Sequence, residues 1–75
     1  MLTQSDVKAK VCTMLAAVGK LRPWIEMPGG TIDRLVRSLF CDPRTLALVM
    51  ALEPWDAGAG VLFGMLLDRQ AQDRP

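Results

Sequence analysis

Seventy-five residues with a net charge of +1 make one small domain, and a domain of this size hides only about 60 % of the surface its unfolded chain exposes. Apolar residues nevertheless make up 51 % of the chain and mean hydropathy is +0.22, more than so thin a core covers, so a partner surface is expected to complete the burial. Histidine and tyrosine are absent and the thiols are only Cys12 and Cys41, which argues against a disulfide scaffold, a zinc site, a Cys-His nucleophile and a histidine acid–base centre.

The first helix is predicted over residues 4–21. Thr3 and Asp6 have the spacing of a capping box, with Leu2 and Val7 placed as a hydrophobic staple. Val7, Val11, Met14, Val18 and Leu21 recur at helical steps and form one apolar seam, which Cys12 and Leu15 widen. Lys8, Lys10 and Lys20 fall mostly outside it. Pro23 disfavours helical geometry at Arg22, so the helix is expected to end near Leu21. Residues 23–30, "PWIEMPGG", hold two prolines and a glycine pair and read as an irregular loop. Its apolar Trp24, Ile25 and Met27 either fold back as a lid on the core or anchor a partner.

A second helix is predicted over 31–40, capped by Thr31, with Asp33 in its first turn where the helix dipole favours a carboxylate. Ile32, Leu35, Val36, Leu39 and Phe40 give the strongest amphipathic period in the chain, and Arg34, Arg37 and Ser38 face the other way. "CDP" marks a restart, Asp42 as N-cap and Pro43 at the first helical position. The third helix, 43–52, is apolar on every side through "LALVMAL". "EPWD" turns the chain into a fourth helix over 55–70, capped by Asp56 or started by Pro54. From Ala57 to Leu67 eleven residues carry neither charge nor hydrogen-bonding side chain.

A helix apolar all round is expected at the centre of its structure. Ala57, Gly60, Gly64 and Leu67 share one quarter of its wheel, and small residues four apart let another backbone approach closely. The neighbour is another helix of the same chain or a symmetry mate; a homodimer with this face as its interface is the expectation. Gly60 and Gly64 each cost about 1 kcal/mol in helix propensity, so something close must compensate. Glu53, Pro54 and Asp56 cut residues 45–67 into pieces of eight and eleven, short of the roughly 20 that span a bilayer. The tail "RQAQDRP" reads as a frayed helix end.

No alternating β-branched run occurs, so the fold class is all-α, a compact bundle of four short helices. Nothing resembles a signal peptide, and the two cysteines read as reduced, mostly buried thiols of a cytoplasmic protein. "MPGGT" lacks the lysine and preceding strand of a phosphate loop. The carboxylates are scattered. The chain is therefore read as a non-enzyme without cofactor, metal or membrane partner.

Two functional classes remain. Residues 1–37 carry a net charge of +3 and residues 38–75 a net of −2. Arg34, Arg37 and Arg44 could line one basic strip, as in a dimeric helix-turn-helix DNA-binding regulator. Against this, the total charge gives little counterion-release affinity, and "PRTLALVMAL" offers base edges only Arg44 and Thr45. The favoured reading is a protein-binding regulator or inhibitor acting sterically on a larger protein or nucleoprotein complex. Trp24, Met27 and Trp55 would be its apolar anchors, with Arg34 and Arg37 setting orientation. In size and lack of catalytic chemistry the chain is similar to the small helical inhibitors of phages and mobile elements, anti-CRISPR proteins among them, although no motif is shared.

Overall fold

The capping box forms as its spacing predicts: the Thr3 amide donates to Asp6 Oδ2 at 3.0 Å and the Asp6 amide to Thr3 Oγ1 at 3.2 Å. It opens the first of five helices in the computed structural model, which describes the backbone of residues 1–72 and the side chains of residues 1–70. These are α1 (Gln4–Ala17), α2 (Leu21–Glu26), α3 (Thr31–Phe40), α4 (Pro43–Ala51) and α5 (Ala57–Gln72). No strand occurs among the described residues. The all-α class holds, with one helix more than expected. Of the expected frayed end, residues 73–75 lie outside the described residues.

The extra helix arises because α1 stops four residues early. Gly19 takes a left-handed φ of 73°. The Gly19 amide donates to Ala16 O at 3.1 Å and the Lys20 amide to Leu15 O at 2.9 Å, the paired bonds of a Schellman stop. The chain then re-enters helix at Leu21. Pro23 falls in the first turn of α2, where its missing N–H has no helical acceptor to leave empty. Its bias against helix at Arg22 yields to packing, since Leu21 and Trp24 both lie partly buried against the core. The irregular loop expected over 23–30 is thus confined to residues 27–30.

Gly30, with φ 63°, is the N-cap of α3 in place of Thr31. Two successive left-handed glycines, Gly29 and Gly30, turn the chain into the helix, which spans the expected residues with the cap one position earlier. Asp42 caps α4, and Pro43 takes the first position. Asp56 caps α5 through Oδ1, which accepts the Gly58 amide at 3.0 Å.

Val7, Val11, Met14 and Leu15 of α1 are completely buried. Around them close Ile32, Leu35, Val36 and Leu39 of α3, Val49 of α4 with Leu52, and Ala59, Phe63 and Leu66 of α5. The central helix is α1, which touches each of the other four. This corrects the expectation for α5, which lies at the edge and buries only one side, leaving Val61 68 % and Met65 63 % exposed. A uniformly apolar helix carries no mark of which side its neighbours will cover. Among the described residues no helix is long and apolar enough to cross a membrane.

Candidate docking notch and the exposed faces

Where α1, α2 and the start of α3 meet, they enclose an open notch of about 310 Å³. Trp24, Cys12 and Ile32 form its apolar lining, with Ile25 and Met27 on α2 and its exit. Ile25 is 62 % and Met27 41 % exposed. Lys8 and Asp33 also line it, joined by an ion pair of 3.0 Å. That pair links α1 to the first turn of α3. Trp24 separates the notch from a smaller hollow of about 140 Å³ that reaches Gly64 and Leu67 of α5. Half-buried and in contact with the core, Trp24 is a wall between two hollows and not a free anchor.

The other expected site residues are dispersed. Arg34 and Arg37 are both exposed on α3. The Arg34 guanidinium lies over Gly29, where an added Cβ would meet it at 3.8 Å, and Arg37 Nε donates to Asp33 O at 3.4 Å. Arg44 sits in the first turn of α4, whose remaining exposed positions are Pro43, Ala47, Leu48 and Ala51. Trp55, in the turn before α5, is 81 % exposed and does not line the notch.

The small face of α5 points largely into its own chain. A Cβ on Gly60 would lie 3.0 Å from Val18 Cγ1, and Leu67 packs partly against the core. Above Gly64 there is nothing within 4 Å, and Ala57 is exposed. The face that α5 offers to solvent is the opposite one, Gly58, Val61, Leu62 and Met65. On α4, Leu48 is also 46 % exposed. The wheel already contained these positions, but choosing between two apolar faces needs the neighbouring helices.

A polar network fixes the far end of α5. Gln70 accepts the Ser38 hydroxyl and donates to Asp42 Oδ2 at 3.3 Å, and Asp42 Oδ2 accepts the Thr45 hydroxyl at 2.6 Å. The Thr45 hydroxyl and amide hold the Asp42 carboxyl below its ordinary pKa, with help from the Arg69 charge and Gln70. Desolvation acts the other way, by less than the Thr45 bonds but by more than Arg69 or Gln70. Of the thiols, Cys12 is half-buried in the notch, whereas Cys41 is exposed, contrary to its expected burial. Among the described residues no three metal-ligating side chains gather at one point.

The chain matches no family model, no curated protein and no solved structure.

Proposed function

We propose that this chain is a non-enzymatic binding module, a regulator or inhibitor that acts sterically by seating an apolar side chain of a larger protein in the notch beside Trp24. The observation that carries the reading is the notch itself, an apolar hollow of about 310 Å³ whose rim residues Ile25 and Met27 stand exposed. Concave, largely preformed hollows of this kind accept the anchor residues that dominate binding energy. Half-buried Trp24 loses little further freedom when a ligand arrives, which keeps the entropy of binding low. Arg34 and Arg37 on the neighbouring helix would steer an acidic partner and set its orientation. DNA binding gains no comparable support, because only Arg44 among the exposed positions of α4 has a side chain able to hydrogen-bond to a base.

The test is site-directed photo-cross-linking in a cell extract. A photoreactive residue at Ile25 or Met27 should give one discrete adduct, lost in the Arg34→Glu, Arg37→Glu double variant. The same residue at Ala9, exposed on the outside of α1, should give none. Equal labelling from all three positions would sink the reading.

A further inference from the structure

The outward face of α5 has an order along the helix that fits itself when read backwards. At its N-terminal end stand the exposed carboxylates Glu53 and Asp56 with Trp55 between them. Gly58 follows one turn inside, then Val61 and Leu62, then Met65, and finally the exposed Arg69. Within α5 each of these positions lies three or four residues from another, so they share one stripe about 100° wide, while Asp68 lines the neighbouring hollow with Lys20. Gly58 leaves a hollow in it, since an added Cβ there would meet only Asp56 Oδ1, at 3.6 Å.

We propose that this stripe is the interface of a homodimer in which α5 crosses a second copy of itself antiparallel. With the two-fold axis between Val61 and Leu62, Met65 of one copy lies over Gly58 of the other. Arg69 then lies about 11 Å from the axis, at a rise of about 1.5 Å per residue, opposite the partner's turn 53–56. There it meets two carboxylates and the face of an exposed indole, the surroundings a guanidinium prefers. The two-fold axis repeats each contact, as an isologous interface requires. Antiparallel helix dipoles favour the same arrangement.

The area is sufficient. Trp55, Val61, Leu62 and Met65 are 81, 68, 36 and 63 % exposed. At roughly 150–250 Å² for a large side chain they offer on the order of 500 Å² of apolar surface per copy. Two copies would bury at most about 1,000 Å², the size of a weak, reversible interface. The face is distinct from the notch, so this inference stands or falls separately from the proposed docking.

Sedimentation equilibrium of the 75-residue chain from about 1 to about 500 µM tests it. A monomer–dimer equilibrium is expected, with Met65→Lys raising Kd at least about tenfold while the helical circular dichroism spectrum is kept. Because Arg69 also acts on Asp42 of its own chain, the single variant used is Glu53→Arg, which should weaken the dimer, and Glu53→Arg combined with Arg69→Glu should restore it. A monomer at every concentration overturns the proposal and leaves the face to a different protein. A dimer indifferent to Met65→Lys also overturns it, as does a charge swap that restores nothing, because that pairing is the signature of the antiparallel register.

Discussion

Asp42 ties three helices through one carboxylate: it caps α4, takes the amide of Gln70 on α5, and through that amide is connected to Ser38 on α3. The Thr45 bonds depress its pKa, and the Thr3 backbone and hydroxyl do the same to Asp6. A carboxyl depressed in the folded state takes up its proton first in the unfolded chain. The stability it contributes is therefore present above the unfolded value of about 3.9 and is lost as pH falls through the folded value. Thermal melts at about pH 6 and about pH 3 should show that loss in the wild type and a smaller one in Asp42→Asn, which keeps a capping oxygen but cannot titrate. Equal losses would mean that Asp42 titrates normally. The two interior glycines of α5 give a contrasting pair. At Gly64 a methyl group meets nothing within 4 Å, so Gly64→Ala should stabilise by about 0.5–1 kcal/mol, the helix-propensity difference. At Gly60 the same methyl would sit 3.0 Å from Val18 Cγ1, on a β-branched side chain with little rotamer freedom. Urea titration should place Gly60→Ala below Gly64→Ala, between neutral and about 1 kcal/mol destabilising.

Among the elements, α3 and α4 were the most legible, because their bounds are set by local chemistry: an amphipathic period, and a carboxylate cap followed by proline. The break between α1 and α2 rests on a single residue that the apolar seam concealed. Val18 and Leu21 continue the seam numerically, yet Gly19 at φ 73° turns the chain before the seam is complete. Gly19→Ala should therefore cost about 1–2 kcal/mol, although nothing lies within 4 Å of the added methyl, because the strain is in the backbone. Gly19→Asn should cost less, since asparagine visits the left-handed region more readily. Equal stability of Gly19→Ala and wild type would show that α1 runs on through Val18. The site was legible only in part for a related reason. Trp24 and Met27 stood out as apolar residues among prolines and glycines. Lys8, Cys12 and Asp33 are brought to them only when α1 and α3 pack together, and no spacing in the chain records that approach.

At the scale of the whole molecule, the apolar excess in the composition has divided into three parts. One is the closed core around α1, one the rim of the notch at Ile25 and Met27, and one the outward stripe of α5 with Trp55 before it. Their thermodynamic signatures differ. Phe63 is completely buried, and Phe63→Ala should remove about 3–5 kcal/mol through lost burial and the cavity left behind. For a chain of this length total stability is roughly 4–11 kcal/mol, so that variant should lose about a third or more of it and melt more than about 10 °C lower at any concentration. Ile25→Asp changes a rim residue and should leave Tm within a degree or two while abolishing capture of the partner. Met65→Lys should act through mass action alone. If two copies associate only when folded, wild-type Tm rises by several degrees over a hundredfold increase in protein concentration, whereas the Met65→Lys melt stays fixed. A wild-type melt independent of concentration would leave the α5 stripe without a second copy to cover it.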